Sequence, residues 1–171
     1  MKPATNVKKP GQVSQKLPAS LALGSVLYSA SAEVDPDSGK ASTTIREYHV
    51  RTVRRANASD PDPTFYLVEK VDCVTWGKLS TRTGHVGWLE SIPAAFRASI
   101  PTTEYMPPGF ATTKGKACQL AIGRVKQQIE RYKEWKKTPG LAALGYEDCI
   151  QECLLEIKAL ERRRTRLLTK N

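Results

Sequence analysis

Cys149 and Cys153 stand four residues apart within a helical pattern, a spacing at which two thiolates on one helix face could share a metal ion. A closed zinc site needs two more ligands. Cys118 is the nearest candidate, but the helix pairing derived below sets it opposite Arg164, eleven residues from Cys153. That separation is roughly 16 Å at about 1.5 Å per residue. The four cysteines (Cys73, Cys118, Cys149, Cys153) therefore read as core or surface thiols in a reducing compartment, the cytoplasm, with no metal and no disulfide expected. His49 and His85 lie on separate segments, neither with a cysteine or carboxylate at ligand spacing. Gly84 and Gly87 around His85 would let a ligand approach the backbone, and they serve turn or bulge geometry equally well. Phosphate-loop, nucleophile-elbow, zinc-protease and dinucleotide-binding patterns do not occur. The expectation is a protein that is no enzyme, with no catalytic residues and no cofactor.

Lysine and arginine offer a different chemistry, attraction of a polyanion. The chain has 27 basic and 17 acidic residues, a net charge of +10, and the excess is not spread evenly. Residues Met1 to Pro18 carry Lys2, Lys8, Lys9 and Lys16 with no acid, which reads as a flexible +4 arm. Ala19 to Tyr105 is near neutral at −1, Lys114 to Lys137 has eight bases against two acids, and Tyr146 to Asn171 nets +1. In the last stretch acids come early and bases late, which the helix dipole explains. The dipole does not explain Lys114 to Lys137, where bases run the whole length. The candidate phosphate-contacting residues are Lys8 and Lys9 in the arm, Arg54 and Arg55 closing a strand, and Lys126, Arg131, Lys133 and Lys137 on a helix. Aromatic residues beside arginines on a small barrel could stack bases. Trp76, Phe65 and Trp88 are expected inside, leaving Tyr48 or Tyr66 as the surface candidates.

These residues need elements to hold them. From Thr112 to Lys170, Cys118, Ile122, Val125, Ile129 and Tyr132 form one stripe at helical spacing, and Tyr146, Ile150, Cys153, Ile157, Leu160, Arg164 and Leu167 form another. Thr138 to Gly145, with Pro139 and Gly140, breaks the pattern, so an antiparallel helical hairpin is expected, opened by a cap from Thr112 or Thr113. A turn centred near Leu141 pairs Tyr132 with Ile150, Ile129 with Cys153, Val125 with Ile157, Ile122 with Leu160 and Cys118 with Arg164.

Upstream, short β-rich segments recur at about ten-residue spacing: 26–34, 44–54, 65–71, 73–79 and 84–89. They suggest a small antiparallel barrel over 19–100, SH3-like or OB-like. A short helical turn over 92–100 and a Pro-rich linker over 101–111 follow, then the basic hairpin over 112–171. A basic start, the apolar stretch 21–28 and Ala30-Ser31-Ala32 also resemble a secretory signal, but Pro18 and Gly24 interrupt it, and a first strand accounts for the same residues. No apolar run approaches the ~20 residues of a membrane span.

The fold class expected is α+β. The function expected is a non-enzymatic nucleic-acid-binding accessory protein, meeting DNA or RNA through phosphate contacts. The alternative is a protein-binding adaptor or inhibitor, for example of a nucleic-acid-processing complex and of phage or other mobile-element type, acting through barrel and hairpin on an acidic partner. Leu154, Leu155 and Leu168, left over from the second stripe, would also allow a homodimer.

Overall fold

Asp35 shapes the turn that joins two long antiparallel strands. Its carboxylate accepts hydrogen bonds from the amides of Asp37 at 2.9 Å and Ser38 at 2.8 Å, and those amides hold its pKa below the ordinary value. Gly39 completes the turn at φ +62°, a left-handed conformation that glycine adopts without a Cβ penalty. The strands that it joins are β1 (Val26–Val34) and β2 (Ala41–Arg54), paired antiparallel from Val26 opposite His49 to Val34 opposite Ala41.

The computed structural model describes residues 16–54, 62–70, 99–138 and 145–169. Three more strands, β3 (Thr64–Glu69), β4 (Ser99–Thr102) and β5 (Phe110–Ala111), complete an antiparallel sheet of order β4-β3-β2-β1-β5. The pairing of β2 with β3 shifts register between Val50 and Thr52, and the sheet curls into a partial barrel. Side chains alternate between its faces. Ala30, with Tyr28, Ala32 and Ile45, packs under the helices, whereas Leu27, Tyr48, Val50 and Leu67 fill a second core on the other side with Leu21, Met106 and Phe110.

Residues 101–111, expected as a linker, supply the end of β4 and all of β5. Pro101 is accommodated because β4 is an edge strand, where the missing N–H leaves no central ladder bond unmade. Ile100, expected in a helical turn, also belongs to β4, opposite Leu67. The expected strands over 73–79 and 84–89, with Cys73, Trp76, His85 and Trp88, lie outside the described residues, as do Lys8, Lys9 and Arg55.

Two helices follow, α1 (Lys114–Lys136) and α2 (Tyr146–Leu168). Thr113 caps α1, its hydroxyl accepting from the Lys116 amide at 3.2 Å. Gly145 gives α2 no side-chain cap, but Glu147 and Asp148 in the first turn complement the dipole. Cys118, Ile122, Ile129, Ile150, Cys153, Ile157 and Leu160 are buried together with Ala117, Ala121 and Ala111. Cys118 is near enough to Arg163 and Arg164 to feel their charge, and Lys136 is ion-paired with Glu147. The start of α1 thus lies beside the end of α2, and the end of α1 beside the start of α2.

Arg124 fastens α1 to the sheet. Its Nη2 donates to the Ala30 carbonyl at 2.8 Å, and its guanidinium lies over Gly109, where an added Cβ would come within 2.7 Å of Nη1. Gly109 has φ +86° besides, so the position suits glycine on both counts.

Candidate nucleic-acid interface

All four candidate residues of α1, Lys126, Arg131, Lys133 and Lys137, are exposed. Their phase divides them. An α-helix turns by about 100° per residue, so Lys126, Lys133 and Lys137 share one stripe and Arg131 points to another flank. Ala117, Ala121 and Arg124 mark the side of α1 that meets the sheet, and the stripe of three lysines lies opposite it.

On α2, Glu156 marks the sheet side, since the charge of Glu33 on β1 helps to raise its pKa after the larger effect of burial and that of Glu152. Opposite Glu156 stand Lys158 and Arg162, both exposed. Together with Glu161, Thr165, Arg166 and Thr169 they line a shallow depression along α2. The antiparallel arrangement brings Lys126 level with this part of α2. One outer face, turned away from the sheet, therefore carries Lys126, Lys133 and Lys137 with Lys158 and Arg162. Sequence reasoning passed over the α2 residues because dipole complementarity already accounted for the late bases. The available signal was the four-residue step from Lys158 to Arg162 to Arg166.

Several other bases already have partners. Lys114 Nζ lies 5.3 Å from the Tyr28 ring centroid, Arg124 holds the Ala30 carbonyl, and Lys136 pairs with Glu147. Lys133 pairs with Glu130 at 2.8 Å, an exposed contact worth only about 0.3–0.5 kcal/mol and so easily given up to a phosphate. Lys126, Arg131, Lys137, Lys158 and Arg162 form no ion pair among the described residues. Arg54 is exposed at the end of β2, on a different part of the molecule from the outer helix face.

The aromatic expectation needs correction. Tyr48 is buried, tilted against Phe110 with centroids 4.6 Å apart, and its hydroxyl donates to Glu69 at 3.4 Å. It falls on the face of β2 that fills the second core, so it offers no stacking surface. Tyr66 and Phe65 are half-buried. An aromatic cluster that the sequence reading did not single out joins the helices instead: Tyr132, Trp135 and Tyr146 have centroids 5.7 to 5.9 Å apart.

His49 Nε2 is 2.7 Å from Glu47 Oε1, and Lys70 Nζ lies 3.5 Å from the same oxygen. The hydrogen bond from His49, then the charge of Lys70, hold the Glu47 carboxyl below its ordinary pKa against the opposing effect of burial. Cys118 and Cys153 are buried, and burial pushes both thiols up, away from the reactive thiolate. No group of three or more His, Cys, Asp or Glu side chains could hold a metal ion, and no helix is long and apolar enough to cross a membrane, among the described residues. No protein-family model matches the chain, and neither the curated proteins nor the solved structures contain a significant match.

Proposed function

We propose that this protein is a non-enzymatic nucleic-acid-binding accessory protein whose outer helix face and basic arm contact phosphates without reading bases. The observation that supports it is the set of bases on that face that form no ion pair among the described residues, Lys126, Lys137, Lys158 and Arg162, with the weakly paired Lys133 among them. Held on two packed helices, these charges meet a polyanion at little conformational cost to the backbone. The arm, with Lys8 and Lys9, adds charge that the folded face does not supply. As finer architecture we propose an αα-hairpin on a sheet of SH3-like or OB-like closure. As location we propose the reducing cytoplasm, which suits the free thiols of Cys118, Cys149 and Cys153.

Fluorescence anisotropy of labelled DNA and RNA, titrated at several salt concentrations, tests the reading. The logarithm of affinity should fall linearly with the logarithm of salt, by roughly 0.9 per contacted phosphate on duplex DNA and 0.7 on a single strand. Absent binding at low salt overturns it.

A second reading rests on Leu154, Leu155 and Leu168, which are 40%, 38% and 62% exposed on α2. They suit a protein partner or a second copy of the chain. Leu154→Glu would then abolish a dimer seen by sedimentation, and a native monomer at high concentration removes the dimer form of this reading.

A further inference from the structure

Trp135 is 44% exposed at the end of α1, although it sits in an aromatic cluster that could have buried it. The ring is held from behind. Tyr132 meets it edge-on with centroids 5.7 Å apart, and Tyr146 of α2 is tilted against it at 5.9 Å. Tyr132 and Tyr146 are themselves stacked at 5.8 Å, and Gln128 Nε2 donates to the Tyr132 hydroxyl at 2.7 Å. Trp135 is therefore a pre-positioned surface with one side open. Arg131, the candidate base that the outer face leaves out, lies one helical turn away on the same flank and forms no ion pair among the described residues.

We infer that Trp135 and Arg131 form a docking point for one unpaired base of single-stranded nucleic acid, the base stacking on the indole and the adjoining phosphate meeting the guanidinium. The inference rests on the nucleic-acid reading and narrows its substrate class. A duplex keeps its base faces stacked inside, so only a single strand can present one to an exposed ring. The charge beside the ring favours this occupant over an apolar protein segment, which would have to desolvate Arg131 without pairing it.

The experiment compares the full chain with Trp135→Ala, Trp135→Phe and Arg131→Ala in binding to a labelled single strand and to a duplex of equal length at one salt concentration. Circular dichroism checks that each variant is folded. Trp135→Ala should weaken single-strand binding by roughly 5- to 100-fold, Trp135→Phe should restore most of it, and duplex affinity should not change. Ultraviolet crosslinking of a bromouridine-containing strand should place the adduct on the peptide that carries Trp135. Equal losses on single strand and duplex, or no loss with Trp135→Ala, overturn the inference while leaving the phosphate-contact reading intact. If the native protein binds neither nucleic acid, both readings fall.

Discussion

On the sheet, acids answer bases: Glu47 lies beside His49 and Lys70, and Glu69 lies 3.8 Å from Arg46. On the outer face of the helices the acids are fewer and engage less: Glu130 pairs with Lys133, and Glu161 lies along the depression with Lys158 and Arg162 without an ion pair to either among the described residues. Glu156 is turned to the sheet, and Lys126, Lys137, Lys158 and Arg162 form no ion pair among the described residues. The two regions differ in how many of their bases a carboxylate engages among the described residues, Arg46 and Lys70 on the sheet against Lys133 alone on the outer helix face. Net charge per segment is thus a poor guide to a binding face. α2 has five bases and five acids and is neutral by sequence, yet it contributes two of the five outer-face bases, with Glu161 beside them and Glu156 turned to the sheet. Long-range attraction of a polyanion depends on charge left uncompensated on one side of the molecule.

The comparison is most severely tested by removing the platform. Leu160 is fully buried between α1, α2 and the sheet, and Leu160→Ala should cost about 2–5 kcal/mol, read as a lower urea midpoint. An unchanged midpoint would mean that the helices are not anchored through that core. Next comes binding itself. Reversing Lys126, Lys158 and Arg162 to Glu should weaken nucleic-acid affinity at low salt by at least about tenfold and flatten the salt slope by about two units on a single strand. Reversing Arg46 and Lys70 should leave both nearly unchanged, and equal losses from the two sets would erase the distinction between helices and sheet.

Gly109→Ala should destabilise by about 1–2 kcal/mol, since alanine resists the left-handed backbone and its methyl would meet the Arg124 guanidinium. In an Arg124→Ala background the cost should shrink toward the backbone contribution alone. A double-mutant cycle with no coupling would contradict the contact.

The smallest effects are in pH. Glu47 has a depressed carboxyl, so its contribution is present above the ordinary glutamate value of 4.5 and is lost as pH falls through its lower folded value. Glu156 has the opposite sign. Its raised carboxyl costs stability at neutral pH, and that cost fades as pH falls through the raised value toward 4.5. Glu156→Gln should therefore stabilise the protein at pH 7, with the gain shrinking by pH 4.5, and Glu47→Gln should destabilise it at pH 7. Chemical denaturation at the two pH values checks both, and a Glu156→Gln variant weaker than the native protein at pH 7 would reverse the assignment.

Much of this was legible in the residues. The stripes through Ile122, Ile129, Ile150, Cys153 and Ile157 are a packing signal at a fixed period, and they are buried as that period requires. Val26 to Val34 reads as a strand and is one, and of the two threonines that read as a cap, Thr112 and Thr113, the second is the cap. The edge strands were not legible. Their few residues, with Pro101, Pro107 and Pro108 among or between them, look like a linker until pairing with Leu67 and Ser29 provides their hydrogen bonds. Nor was the burial of Tyr48. A tyrosine on a strand faces core or solvent according to register, and the residues that bury it, Phe110 and Met106, come from more than fifty positions later in the chain.

By itself, then, the order of residues determined the local elements, because period, caps and turn chemistry act within a few residues of one another. It determined the charge excess as well. Only the tertiary structure decided which charges share a side, since the phase between α1 and α2 is set by how their apolar stripes pack on the sheet. Helical period alone separated Arg131 from Lys126 and set it one turn from Trp135, but only the packing of the two helices brought Tyr146 across from α2 against that ring.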